Sequence, residues 1–184
     1  DEMLATVGLE GMGGRYPHEF SGGQRQRIAV ARALITRPDV VICDEPVSAL
    51  DASVQAQVLN LLCDVQERFS PSYLFISHDL AVVGFICPRI LVMYLGQVAE
   101  EAPRERLFAG AAHPYSQALL AAMPTGDGES RLPRILEGEL PSPLNPPAGC
   151  RFHPRCPKAV DICRREPPAW KELAPGWRAR CHLL

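Results

Sequence analysis

Residues 20–46 read FSGGQRQRIAVARALITRPDVVICDEP, and the fold follows from how this stretch divides. Residues 24–36 are rich in helix formers, and the apolar positions 28, 30, 31, 34 and 35 make one stripe of helical spacing, which predicts an amphipathic helix. Arg37-Pro38-Asp39 ends it. Residues 40–43, VVIC, form a short apolar run without alternation, the pattern of a strand covered on both faces in a parallel sheet. Two acids, Asp44 and Glu45, follow at once.

Outward from this stretch the cadence continues. Residues 52–69 place Val54, Val58, Leu61, Leu62 and Val65 at helical spacing, and residues 73–76 form another short apolar strand closed by Ser77-His78-Asp79. Residues 80–86 read as a short helix, and residues 89–95 as a third apolar strand ending at Gly96. Strand, helix, strand, helix, strand predicts an α/β domain with a mostly parallel sheet and flanking helices. Ligands of such sheets bind beyond the carboxyl ends of the strands. Asp44, Glu45 and His78 stand just past two of those ends.

The bulk composition agrees. With 184 residues, 47% apolar and 22% charged, the chain is one ordinary domain, or one domain with an appendage. Nineteen basic against 21 acidic residues leave a net charge of −2, so a nucleic-acid or polyanion binder is not expected. No run approaches the roughly 18 apolar residues of a membrane span, and no basic segment leads into an apolar one at the start. Residue 1 is Asp and residues 2–9 already read as helix, so the expectation is that the chain enters in mid-domain. Composition then shifts: 11 of the 18 prolines lie in residues 124–184, and four of the seven cysteines lie between 150 and 181. Residues 151–184 carry a net +5 and residues 1–150 a net −7, which points to an anionic group held by the tail.

Three groups carry candidate chemistry. Ser21-Gly22-Gly23-Gln24 at a helix N-terminus offers free N–H groups, a hydroxyl and the positive end of the helix dipole, all of which favour phosphate; plain Ser capping with a Gly turn is the alternative. Asp44 and Glu45 at the end of a buried strand are costly unless they engage a cation or a proton transfer, a solvated turn being the alternative. A carboxylate there can hold Mg²⁺ and its neighbour can polarise an attacking water. His78 can donate to a γ-phosphate or orient the glutamate, or serve as a structural histidine.

Taken in order, these motifs resemble one known machine. FSGGQRQRIAVARAL is similar to the signature motif and helix of an ABC-transporter ATPase, VVICDEP to its Walker B strand, Ser48–Asp51 (SALD) to its D-loop, and SHD to its switch histidine. The resemblance implies the C-terminal portion of a P-loop ABC ATPase domain over residues 1–108. It also implies roles: Glu45 as catalytic base, Asp44 for Mg²⁺, His78 as γ-phosphate sensor, Ser21, Gly22, Gly23 and Gln24 touching ATP bound by a partner subunit, and Asp51 communicating across that dimer. The phosphate loop G-x-x-x-x-G-K-[ST] does not occur, and neither does Gly-Lys. In the family that loop lies upstream, so this chain by itself is not expected to hydrolyse ATP.

Residues 109–184 read as a Pro- and Cys-rich extension. His113-Pro114-Tyr115-Ser116 leads into a short helix, QALLAAM, and the stretch EGELPSPLNPPAG (137–149) is expected to run extended. Cys150, Cys156, Cys163 and Cys181 follow. In a reducing compartment four clustered thiols favour metal over disulfide, but their spacing fits neither zinc knuckles nor small ferredoxins, so iron–sulfur, zinc and free thiols stay open on chemistry alone. GELPSPLNPPAGCRFHPRCPKAVDIC…CH is similar to the C-terminal extension of oligopeptide and dipeptide importer ATPases, a family that also includes nickel and glutathione importers, and more like the second (F-type) of their two ATPases. The resemblance implies a [4Fe–4S] cluster on the four cysteines in preference to zinc. Cys43, Cys63 and Cys87 are expected to be inert packing residues.

The implied function is ATP hydrolysis that energises inward peptide transport. Implied partners are a second ATPase subunit, identical or not, two membrane permeases and, indirectly, a peptide-binding protein. The implied location is the cytoplasmic face of the cell membrane, peripherally attached. Two other readings stay open: a metal-binding, redox-sensing or regulatory remnant without ATPase activity of its own, and a soluble ABC ATPase that serves no transporter.

Overall fold

The computed structural model describes residues 1–123 and 139–184. Contacts divide the chain into two compact units, Asp1–Ile86 and Cys87–Leu184. In the first, α1 (Glu2–Thr6) and a 3₁₀ turn (Pro17–Glu19) precede α2 (Gly22–Leu34), β1 (Val40–Asp44), α3 (Ala52–Phe69), β2 (Ser72–Ile76) and α4 (Leu80–Ile86). The helix read at 24–36 begins two residues earlier, because Ser21 and Gln24 close a reciprocal capping box at its start. It ends at Leu34, ahead of Pro38, which cannot continue a helix.

β1 and β2 pair in parallel, with Val40 opposite Ser72 and Asp44 opposite Ile76, so both strands deliver their carboxyl ends to the same edge. Val41, Cys43, Tyr73 and Phe75 join the apolar cluster formed with Val30 and Leu34 of α2 and Val58, Leu62 and Val65 of α3. Within this span of chain the two faces of the pair differ. Ile42 is 66% exposed and Val40, Leu74 and Ile76 are likewise exposed, because α2 and α3 cover one face of the pair and the alternate side chains point to the other.

In the second unit the third predicted strand is present as β3 (Arg89–Tyr94), but its partner is antiparallel. β4 (Gln97–Pro103) returns along it through Leu95 and Gly96, both with positive φ (46° and 74°), a two-residue turn whose twist suits a hairpin. The sheet order is β3-β4-β6-β5, with β5 (Lys171–Ala174) and β6 (Trp177–Ala179) supplied by the tail. Between β4 and β5 in sequence lie α5 (Arg104–Gly110), α6 (Pro114–Ala121), a 3₁₀ turn (His153–Arg155) and α7 (Asp161–Arg165). The α/β class holds, with one parallel and one antiparallel sheet among the described residues. The helix expected from QALLAAM begins earlier, at Pro114, where the fixed φ of proline suits a first helical turn and His113 Nδ1 accepts from Tyr115 N. Of the stretch expected to run extended, 137–138 lie outside the described residues, and 139–149 contain no helix or strand.

Two adjacent carboxylates lock the second unit. Glu100, fully buried on β4, accepts hydrogen bonds from Ala112 N (2.8 Å), His113 N (2.9 Å) and Trp177 Nε1 (2.8 Å). Glu101 takes Arg178 Nε from β6 at 2.8 Å, in direct cross-strand register, and Arg89 from β3. Burial pushes the Glu101 carboxyl upward, but the hydrogen bonds from Arg178 and Arg89 outweigh it and hold the group below the ordinary carboxylate range. Part of the tail's positive charge is thus neutralised by an acid from β4. Arg178 and Arg180 also flank the Trp170 ring at 4.5 and 4.6 Å.

Candidate functional site

The parallel pairing of β1 and β2 brings the two strand ends together, and with them the two side chains that sequence spacing keeps 33 residues apart. His78 Nδ1 donates to Glu45 Oε1 at 2.9 Å and Oε2 at 3.0 Å. The hydrogen bond to Glu45, and secondarily its charge, raises the His78 pKa above the ordinary imidazole value. Because the shift is upward, the ionic form of the contact is complete below the ordinary value and is lost as pH climbs through the raised one. The imidazole is 76% exposed, so this is an open, polar contact able to receive a ligand.

Glu45 itself is held in an unusual backbone state. Its φ is +48°, although it is neither glycine nor asparagine and precedes Pro46, where extended backbone is the rule. Such a conformation costs about 1–3 kcal/mol and persists only when neighbours over-determine it. Here Glu45 N donates to Ile76 O (2.9 Å), and Glu45 O accepts from Ser48 Oγ (3.1 Å) and Ser48 N (3.4 Å). The turn aims the carboxylate at His78 while Asp44, the last residue of β1, stays exposed beside it. An exposed carboxylate at this position is a hard oxygen donor suited to Mg²⁺.

The other predicted ligands sit at two helix N-termini. Gln24 N donates to Ser21 Oγ (3.3 Å) and Ser21 N to Gln24 Oε1 (3.0 Å), so the capping alternative weighed for this motif is realised in the structure. Gly22 is exposed, and Gly23 lies where a Cβ would come within 2.4 Å of Val54 Cγ1, so this glycine lets α2 approach α3 closely. Asp51 caps α3, accepting from Ser53 N (3.1 Å), Val54 N (3.0 Å) and Ser53 Oγ (2.7 Å); the Val54 hydrogen bond leads the causes that lower its pKa. The α2 and α3 N-termini therefore meet at the Gly23–Val54 contact.

Two of the four tail cysteines, Cys150 and Cys163, are tied together through the backbone. Gly149, at φ +68°, lies where a Cβ would come within 2.5 Å of Cys163 O, and Cys150 N donates to that same carbonyl at 2.9 Å. Burial pushes the Cys150 thiol up, and the nearby Cys163, Cys156 and Cys181 add to the rise. Burial likewise raises Cys156, with Cys181 and Cys163 contributing. The donor chemistry suits a thiolate-bound centre, yet among the described residues no three His, Cys, Asp or Glu side chains are close enough together to hold a metal ion. Cys43 is buried in the first unit's apolar cluster; Cys63 and Cys87 are half-buried, and burial raises both thiols.

Sequence reading missed the roles of Ser48 and Glu100. Glu100-Glu101 lies in QVAEEAP, which has neither alternation nor an apolar run to mark a buried strand.

The profile described as ABC transporter matches residues 1–48, and the solved ATP-binding cassette MJ1267 of an ABC transporter, in its ADP conformation, shares the fold (TM-score 0.58, 24% identity, 64% of this chain and 46% of that one). The structural likeness is one of fold, that of an ATP-binding cassette. The profile described as Oligopeptide/dipeptide transporter, C-terminal region, matches residues 99–163. The oligopeptide transport ATP-binding protein AppF of Bacillus subtilis is 54% identical over 100% of this chain and 57% of its own length. The dipeptide transport ATP-binding protein DppF of Haemophilus influenzae is 53% identical over 97% and 55%. The chain belongs to the ATP-binding proteins of oligopeptide and dipeptide ABC transporters, and spans about half the length of the curated relatives it matches.

Proposed function

We propose that this chain is part of a subunit that hydrolyses ATP to drive peptide import. The observation that carries the reading is the Glu45–His78 contact at the joined carboxyl ends of β1 and β2. Glu45, aimed by its turn, takes the proton of a water attacking the γ-phosphate. His78 Nδ1 orients that carboxylate, leaving Nε2 to meet the phosphate oxygen. Bound Mg²⁺ supplies charge neutralisation at the phosphates, and Asp44 is the residue placed to hold it. Ser21, Gly22, Gly23 and Gln24 at the α2 N-terminus contact ATP carried by a second ATPase subunit, and Asp51 at the α3 N-terminus communicates across that dimer. The remaining partners are two permeases and, through them, a peptide-binding protein, which puts the subunit on the cytoplasmic face of the membrane. Among the described residues no helix is long and apolar enough to cross it.

The nucleotide-binding portion then runs over residues 1–108 and the extension over 109–184; support for a boundary in this region comes from the C-terminal profile, which begins at residue 99. In the full-length subunit, His78→Ala is expected to lower saturated phosphate release roughly 100-fold, within the range of a lost acid–base partner, with ATP affinity nearly unchanged. Wild-type turnover in that variant would remove the pair from the mechanism. The 184-residue chain, which has no G-x-x-x-x-G-K-[ST] sequence, serves as the inactive control.

Within the same reading, Cys150, Cys156, Cys163 and Cys181 hold a [4Fe–4S] cluster. Support comes from the hydrogen bond of Cys150 N to Cys163 O, which holds two of the four cysteines together, and from the soft thiolate donors the set offers. Cys156→Ser is expected to abolish the visible absorbance and bound iron of protein purified without oxygen. Equal iron content in wild type and variant would count against the cluster.

A further inference from the structure

We propose that Ser48 is a positioning residue for Glu45, acting through the backbone rather than through any contact with nucleotide. This rests on the reading of Glu45 as the base. Glu45 sits at φ +48° immediately before a proline, a state that its own preferences oppose. Three hydrogen bonds hold it there. Glu45 N donates to Ile76 O, which ties the residue to the end of β2, and Glu45 O accepts from Ser48 Oγ at 3.1 Å and Ser48 N at 3.4 Å, which close the turn on the other side. Only the hydroxyl is a side chain, so it is the one member of the set that sequence can change without altering the chain path.

The consequence lies at the carboxylate. With the left-handed turn closed, Glu45 reaches His78 Nδ1 with both oxygens, at 2.9 and 3.0 Å. Without the hydroxyl, Glu45 O keeps only the long 3.4 Å contact from Ser48 N, and the residue gains access to the extended backbone that Pro46 favours. That relaxation swings the side chain off the strand ends. Ser48 is exposed and belongs to no apolar cluster, so its loss removes a restraint and leaves the core of the first unit intact.

The test is a double-mutant cycle in the full-length subunit. Ser48→Ala is expected to lower saturated turnover roughly 10- to 100-fold, the scale of a small misplacement of a catalytic group, with KM for ATP and ATP-driven subunit association unchanged. Ser48→Thr, which keeps the hydroxyl, is expected to restore most of the rate. In a Glu45→Gln background, single-turnover rates with and without Ser48→Ala are expected to coincide, because a residue that acts through Glu45 has nothing left to position. Additive losses in that background, a Thr variant as slow as Ala, or lost subunit association would each overturn the assignment. Should Glu45→Gln alone leave turnover at the wild-type level, the reading of Glu45 as base fails, and that result is separate from the cycle.

Discussion

Glu45→Gln in the full-length subunit is expected to bind ATP as the wild type does and to turn it over roughly 10³-fold more slowly, within the range general-base catalysis supplies. Gln has nearly the shape of Glu, so the left-handed turn, the bond to Ile76 O and the contact with Ser48 can all persist. What it lacks is the ability to accept a proton from the attacking water. The substitution therefore separates chemistry from geometry. Phosphate release at saturating ATP and Mg²⁺, set against equilibrium ATP binding, measures the first; turnover within a few-fold of wild type would exclude Glu45 as the base. A second readout uses His78. Its raised pKa comes first from the Glu45 hydrogen bond and then from the Glu45 charge, so removing that charge is expected to move the imidazole titration midpoint downward, toward its ordinary value. An NMR titration of the His78 ring in both proteins shows it directly, and an unmoved midpoint would mean that the two side chains are apart in solution.

The second large effect concerns stability. Glu100→Gln is expected to destabilise the Cys87–Leu184 unit by on the order of 4 kcal/mol, a large share of the roughly 5–15 kcal/mol that holds an ordinary domain together. The carboxylate only accepts, and it is met by three N–H donors, from Ala112, His113 and Trp177. An amide presents an NH₂ group to at least one of those donors, leaving an N–H unpaired against a fully buried side chain. Because Trp177 Nε1 is one of the donors, tryptophan fluorescence during urea unfolding follows the site itself. A midpoint and slope indistinguishable from wild type would show that the buried carboxylate is not what joins β4 to α6 and β6.

These two residues differ in how visible they are in sequence. Glu45 could be found because its chemistry is local: a short apolar strand followed by adjacent acids marks the carboxyl end of a sheet strand, and the order of the SGGQ, DE, SALD and SHD motifs is specific to one family. The helices and strands of residues 22–86 follow for the same reason, since 3.6-residue and strand patterns are written over neighbouring positions. Glu100 had no such mark. Its donors come from residues 112, 113 and 177, and nothing near QVAEEAP announces that two glutamates will be buried.

The same division runs through the rest of the molecule. Periodicity and motif order were enough to establish the α/β class, the amphipathic helices and the candidate acids. Tertiary structure alone decided that His78 meets Glu45, that Glu45 is twisted to φ +48° to allow it, and that β3 turns back into an antiparallel sheet with strands from the tail. The physical reason is range: local patterns set how a segment folds, whereas partners for a buried charge, a strained turn or a sheet edge are recruited from segments tens of residues away, and only the packed chain brings them within hydrogen-bond reach.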